Sequence, residues 1–323
     1  MTFISIVICT YNRALSLKET LQNLLTQVNS TECELIVVDN NSSDNTRNIV
    51  QSFLARFQGK LRYVFEKNQG ISYARNRGAA EAKGAIIAFT DDDVTVSPQW
   101  LNTIKDGFTK YDCDVLCGKI LPIWETRPPK WLTKDLWFQL ALLDYGEEPI
   151  VLNTTSKSFH GANFAIKTQI LKDNFSFDVN IGGARAGRKA VFGEEIHLFF
   201  ILLNNNKKIV YDPHMVVWHR IPRERMTPAY FIKWRFYSGL SFAYVQNVMK
   251  KQERKNYTYH DVRGVKELPK KTAVKKFKVT LQSLGMAIIT LDINKVFKEC
   301  LKFMTLCGKT WFYLTDSLAR DSH

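Results

Sequence analysis

The chain has 323 residues, 45% of them hydrophobic and 24% charged, with 45 Lys+Arg against 31 Asp+Glu and a formal charge of +14. This excludes wholesale disorder, a collagen-like repeat and a disulfide-stapled miniprotein, and the length suits one large domain or two modest ones. The basic excess is unevenly placed. Residues 1–206 carry 22 Lys+Arg and 22 Asp+Glu, whereas residues 207–323 carry 23 and 9, so the whole +14 belongs to the last third.

The N-terminus opens on an apolar run and lacks the basic segment and small-residue cleavage site of a signal peptide. Cys9, Cys33, Cys113, Cys117, Cys300 and Cys307 lie mostly in apolar surroundings, with no C-x-x-C pair and matching histidines. Zinc is thereby disfavoured, and a reducing, cytoplasmic location is expected. Ile4 to Cys9 reads as a strand buried on both faces, followed by Leu17, Leu21, Leu24, Leu25 and Val28 at helical spacing. Glu34 to Val38 is a second strand. Ile49, Val50, Phe53, Leu54 and Phe57 mark a second helix behind the cap-rich residues 40–44. A third strand at Leu61 to Phe65, a third helix at Ile71 to Lys83 and a fourth strand at Ala85 to Phe89 complete the pattern. Such alternation predicts an α/β fold with a mainly parallel sheet and helices on both faces. Ligands of these sheets sit outside the carboxyl ends of the strands. Thr10-Tyr11-Asn12, Asp39-Asn40, Glu66-Lys67-Asn68 and Asp91-Asp92-Asp93 stand at those ends. No G-x-G-x-x-G follows the first strand and no P-loop occurs, so phosphate recognition here calls for a metal or cationic side chains.

The acidic triplet is the sharpest signal. If the backbone stays extended, Asp91 and Asp93 point to one side. Two carboxylates about 5 Å apart repel by roughly 3 kcal/mol at an effective dielectric near 20, which a divalent cation relieves. Hard oxygen ligands suit Mg²⁺ or Mn²⁺, with diphosphate oxygens completing the shell. The competing interpretation is a solvated turn that caps the next helix at Asp93 or Ser97.

Residues 6–13 (IVICTYNR), 36–46 (IVVDNNSSDNT), 68–78 (NQGISYARNRG) and 88–93 (AFTDDD) together resemble a family 2 glycosyltransferase of GT-A fold, in that family's order and spacing. The resemblance implies inverting transfer of a sugar from a nucleotide-sugar, with Mn²⁺ or Mg²⁺ bound at a D-x-D motif. By that correspondence Thr10, Tyr11 and Asn12 would line the nucleotide pocket and Asp39 would accept hydrogen bonds from the base. Arg75, Asp91 and Asp92 would also lie with the nucleotide, Asp91 at the ribose, and Asp93 would bind metal. Asp39 could instead end its strand in an Asx-turn with Ser42, and Arg75 could be a surface charge.

Farther along, a helix begins at Trp100 and Val115 to Ile123 reads as a strand. Trp124, Trp131, Trp137 and Phe138 could stack on sugars, but packing is favoured for most, with Trp124 the candidate exception. Residues 160–166 (HGANFAI) resemble the family segment in which a small residue lets the backbone approach the donor sugar. The family's catalytic base stands in a Gly-Glu-Asp-type motif at a helix start. Gly193-Glu194-Glu195 places Glu195 at that position with one extra methylene and leaves Glu194 as a substitute. The glycine-rich basic run 182–189 suggests a mobile loop near the donor phosphates. His219, ending another strand, is a candidate further metal ligand, with Arg220 and Arg223 available for diphosphate.

From Pro228 aromatic and basic residues interleave in a helical pattern. Basic runs at 250–255 and 270–278 follow, then an amphipathic helix or pair from Val279 to about Leu318. Val279 to Leu291 is too short to span a bilayer, which needs about 20 residues. Basic clusters beside apolar faces suit the anionic cytoplasmic surface of a membrane, and a solvated basic face is the plainer alternative. No nucleic-acid fold accompanies them, and no nucleic-acid partner is expected. The expected division is a catalytic domain over 1–224, with a nucleotide-sugar half (1–97) and an acceptor half (98–224), then a helical region over 225–323. The expected function is transfer from a nucleotide-diphosphate donor, UDP-sugar favoured, to a saccharide or lipid-linked acceptor in surface or extracellular polysaccharide synthesis. The enzyme would be peripheral on the cytoplasmic face of the membrane. The rivals are a sugar nucleotidyltransferase, which should carry a glycine-rich loop after the first strand, and a non-catalytic membrane- or nucleic-acid-binding protein.

Overall fold

Unbroken aliphatic runs make the first strands, because only a strand covered on both faces can bury every side chain. The computed structural model describes residues 3–30, 32–154, 156–173, 175–182, 192–256 and 293–320. In it β1 (Ile4–Thr10), β2 (Cys33–Asp39), β3 (Leu61–Phe65) and β4 (Ile86–Asp91) pair in parallel in the order β3-β2-β1-β4. Ile6, Val7, Ile8 and Leu35 through Val38 have no exposed surface. The crossovers are α1 (Ala14–Ser30), α2 (Thr46–Phe53) and α3 (Ile71–Glu81), so every element predicted for the first hundred residues is present. Leu17, Leu21, Leu24 and Val28 form the buried stripe of α1, and the end of the second predicted helix tightens into a 3₁₀ turn at Ala55–Phe57.

The rest of the sheet brings in antiparallel pairings. It contains β5 (Val94–Val96), β6 (Val115–Trp124), β7 (Ile150–Val151), β8 (Asn163–Lys167) and β9 (Ile209–Ile221), with α4 (Trp100–Tyr111), α5 (Thr168–Lys172) and α6 (Glu194–Asn204) between them. The full order is β3-β2-β1-β4-β8-β6-β9-β5, with β7 also on β9. β8 runs antiparallel to both β4 and β6, and β5 and β7 run antiparallel to β9. The antiparallel sense of β8 brings its first residue, Asn163, beside Thr90 at the carboxyl edge of β4. This is a GT-A type α/β sheet flanked by helices.

One buried amide ties β8 to β6, β9 and α4. Asn163, with no exposed surface, accepts from Trp100 Nε1 at 2.8 Å and donates from Nδ2 to Lys119 O at 2.8 Å and Met215 O at 2.7 Å. Next to it Gly118 lets β6 and β9 approach, since an added Cβ would lie 1.8 Å from Met215 O. Asn163→Leu would orphan one N–H and two C=O groups at about 1–2 kcal/mol each. A loss of about 3–6 kcal/mol is expected from these three groups, read as a large fall in the melting temperature of the variant.

The described residues of Met1–Ile123, Ala141–Ala190 and Glu194–Ile221 form one compact unit. A second gathers those of Trp124–Leu140, Val191–Gly193 and Pro222–His323, including α7 (Pro228–Asn256) and α8 (Ile293–Arg320). In the second unit the two helices cross backbone to backbone. A Cβ on Gly239 would lie 2.0 Å from Thr305 O, and one on Gly308 would lie 1.9 Å from Phe236 O. Trp131 packs edge-on against Phe231 and Phe297, and Phe138 against Trp234, so these aromatics serve packing. Trp124 is half-buried. Among the described residues no helix is long and apolar enough to cross a membrane. The basic run at 270–278 and the stretch Val279 to Leu291 lie outside the described residues.

Candidate active site

Parallel pairing sets Thr10 opposite Asp39 and Cys9 opposite Asp91, so the predicted residues of three loops meet at one edge. The acidic triplet is not extended. β4 ends at Asp91 and β5 begins at Val94, and the turn between them sends the carboxylates to different partners. The Asp91 side chain is 32% exposed and faces Arg75, whose Nη2 is 3.7 Å from Oδ1. Asp92 and Asp93 are buried, which removes the interpretation of a solvated cap. Asp92 accepts from Thr10 Oγ1 at 2.7 Å and from Arg13 Nη1 at 3.0 Å. The same Arg13 nitrogen reaches Asp93 Oδ2 at 2.7 Å. Burial, opposed by the Arg13 charge, pushes the Asp92 carboxyl up to about 6. Arg13 belongs to the first motif, yet its role escaped the sequence reading because partners some 80 residues away are invisible to local periodicity.

The other nucleotide-side residues divide between open and occupied. Tyr11 is exposed at the end of β1. Asn12 adopts φ +52° and binds the next loop, accepting on Oδ1 from Ser43 N at 2.7 Å, while its own N–H donates to Ser42 Oγ. Asp39 is buried and accepts from Ser42 N at 2.9 Å and Tyr63 OH at 2.8 Å. The Asx-turn alternative for Asp39 is therefore realised. It still leaves acceptor capacity, because each carboxylate oxygen has two lone pairs.

Glu194 and Glu195 open α6 as expected, after Gly193 at φ +94°. They are not equivalent. Glu194 is ion-paired with Arg75 Nη1 inside the protein, and burial together with the Glu195 charge pushes it up to about 7 despite Arg75. Burial also raises Glu195, but the hydrogen-bonding influence of His160 and the charges of Arg75 and His160 outweigh it and hold Glu195 below the usual carboxylate range. His160 Nδ1 lies 3.7 Å from Glu195 Oε1. Glu195 is thus the more readily ionised of the two carboxyls. Arg75 is buried, not a surface charge. Asn76 clamps the backbone of Phe177 in both directions, at 2.8 and 3.0 Å, and so has a structural place beside it.

β9 carries His219 opposite Val94 of β5, with Nε2 3.3 Å from Asp93 Oδ2. A carboxylate and an imidazole converging in this way fit a hard divalent cation, and better Mn²⁺ than Mg²⁺ because of the nitrogen. Among the described residues no three His, Cys, Asp or Glu side chains form a complete cage. Two protein ligands match a metal whose shell is finished by substrate phosphates. Arg220 is committed elsewhere, to Glu19 at 2.9 Å and to Thr20, Val94 and Thr95, so its expected availability for diphosphate does not hold. Arg223 remains exposed. Of the expected loop at 182–189, residues 183–189 lie outside the described residues.

A sheet of this topology, with an acidic turn, a histidine and paired glutamates on one edge, has the form of a GT-A type glycosyltransferase fold. The family model of Glycosyl transferase family 2 matches residues 5–194, and the chain belongs to that family. It is 27% identical over 244 residues to a glucosyl-dolichyl phosphate glucuronosyltransferase of Haloferax volcanii, covering 74% of this chain and 75% of that one. It is 26% identical over 239 residues to the succinoglycan biosynthesis protein ExoM of Rhizobium meliloti, covering 73% and 72%. The mannosyltransferase PcManGT from Pyrobaculum calidifontis, solved in complex with GDP-Man and Mn²⁺, shares the fold with a TM-score of 0.63 at 16% identity. That match covers 97% of this chain and 87% of that one.

Proposed function

We propose that the chain is a metal-dependent, inverting hexosyltransferase that moves a sugar from a nucleoside-diphosphate donor, UDP-sugar favoured, to a saccharide or lipid-linked acceptor in surface or extracellular polysaccharide synthesis. The observation that carries this reading is the meeting of Asp93 with His219, and of Asp91 with the Arg75–Glu194 pair, at one sheet edge. Thr10, Tyr11, Asn12, Asp39, Asp91 and Asp92 form the donor side. Glu195 takes the proton of the acceptor hydroxyl as that oxygen attacks the anomeric carbon. The bond to the diphosphate breaks on the opposite face, which inverts the centre. Asp93 and His219 would hold Mn²⁺ or Mg²⁺, which when bound stabilises the charge on the leaving diphosphate.

The reading assigns 1–97 to the donor, 98–224 to the acceptor, and 225–323 to a peripheral position on the cytoplasmic face of the membrane. The 23 Lys+Arg against 9 Asp+Glu after residue 206 support that position. So does the name of the Haloferax relative, whose substrate is a lipid phosphate. Against the nucleotidyltransferase rival, the connection from β1 to α1 is Tyr11 to Arg13 and has no glycine.

A thermal-shift screen of UDP- and GDP-sugars with and without Mn²⁺ tests the reading. A donor at one hundredfold its Kd adds about 2.7 kcal/mol. For a chain of this size that is a rise of about 4 °C in melting temperature. The expected result is a shift for one donor class that requires the metal. No shift with any nucleotide-sugar sinks the reading.

A further inference from the structure

Arg75 occupies a slot in which every wall is specified. Its Nη1 pairs with Glu194, its Nη2 lies 3.7 Å from Asp91 Oδ1, and the Phe177 ring centroid is 5.5 Å from its Cζ. Gly161 closes the back, where an added Cβ would lie 2.0 Å from Nη2 and 2.8 Å from Cζ. The side chain is only 6% exposed. We propose that Arg75 is a positioning residue, a clamp that ties the first turn of α6 to the end of β4, and not a contact to the nucleotide. This rests on the reading of Glu195 as the base and adds how that base is held.

The chemistry follows from the guanidinium. Its donors are fixed in a planar fork, so one cation can address carboxylates on two edges at a set angle. Glu194 on one edge and Asp91 on the other are thereby kept in register. Glu195, the next residue after Glu194, inherits its place from the clamp. Lysine keeps the charge but cannot hold two carboxylates with a fork. The charged groups that face Arg75 are Glu194, Asp91 and Glu195, with the Cys9 thiol beside them. Because the Arg75 charge helps to hold Glu195 low, losing that charge should raise the base. Gly161, within the segment 160–166 expected to approach the donor sugar, also makes room for Arg75.

The experiment uses the full chain with Arg75→Lys, Arg75→Met and Gly161→Ala, the last displacing the fork while leaving its chemistry intact. Binding is measured by calorimetry with UDP and Mn²⁺ and repeated with GDP. Turnover is followed as nucleoside-diphosphate release from the preferred nucleotide-sugar across pH. The clamp predicts kcat down at least tenfold in Arg75→Lys and in Gly161→Ala, with Kd for the nucleotide within threefold of the parent. In Arg75→Met the acid limb of kcat moves to higher pH, whereas Arg75→Lys keeps it nearer the parent. A Kd weakened tenfold or more, with kcat at saturation and the acid limb unchanged, identifies a nucleotide contact and overturns the proposal. If Arg75→Met does not fold, Arg75→Lys and Gly161→Ala decide through the same Kd and kcat comparison. Glu195→Gln run in parallel keeps the two ideas apart. Turnover in that variant removes the base assignment, while the Kd comparison still judges the clamp.

Discussion

Glu195→Gln is expected to lower kcat by about 10²–10⁴-fold, the usual contribution of a positioned general base, while nucleotide binding stays near the parent value. The amide keeps the shape and an acceptor oxygen but cannot take the proton of the acceptor hydroxyl. The pH profile separates this assignment from its neighbour. Because Glu195 lies below the usual carboxylate range, the acid limb of kcat should fall there and leave turnover flat through neutral pH. If Glu194 were the base, the limb would appear near 7, where that carboxyl has been pushed. Glu194 also titrates in stability. Its folded value of about 7 lies above the reference of 4.5, so the folded protein holds a proton that the unfolded chain releases first. The stability it contributes is complete below pH 4.5 and is lost as pH rises through 7. Glu194→Gln removes that slope and leaves the activity limb where Glu195 sets it. Full turnover in Glu195→Gln would sink the base assignment.

The way these residues come together explains which of them the sequence could reveal. β1 to β4 and their helices announce themselves because each is long enough to repeat its period, and their parallel pairing then fixes which loops share an edge. Thr10, Asp39 and Asp91 were legible for that reason, before any side-chain contact was known. β5, β7 and β8 contain three, two and five residues, too few for a pattern to register, and they supply the antiparallel half of the sheet. Without β5 the turn at Asp92 and Asp93 could not be foreseen, and an extended triplet was the natural expectation. Without β8 there was no way to see Gly161 under Arg75. Arg13 and Arg75 show the same limit from the side of charge. A lone arginine at a helix start or on a helix reads as solvated, and only the fold supplies the carboxylates that bury or neutralise it.

Asp93→Ala should abolish metal-dependent turnover and leave the sheet standing, and the contacts of Asp93 explain both halves of that expectation. Its carboxylate sits between Arg13 Nη1 at 2.7 Å and His219 Nε2 at 3.3 Å, so its negative charge is what would let that imidazole and a divalent cation share the site. Losing a metal that stabilises a leaving group by about 4 kcal/mol costs on the order of a thousandfold in rate. The fold is protected because Arg13 keeps Asp92 at 3.0 Å, and the backbone carbonyl of Asp93 still accepts from Arg220 N at 3.0 Å. Asp93→Asn makes the sharper test. Its amide oxygen can keep the hydrogen bond from Arg13 while removing the charge, so any loss reports on charge and not on packing. The measurement is the Mn²⁺-dependent thermal shift together with nucleoside-diphosphate release. Both should vanish in Asp93→Asn while the melting temperature without metal stays close to the parent. Parent-like turnover in either variant would remove Asp93 from the metal site. Loss in Asp93→Asn with a retained Mn²⁺ shift would mean that the cation is held elsewhere on the edge, where Asp91 is a part-exposed carboxylate.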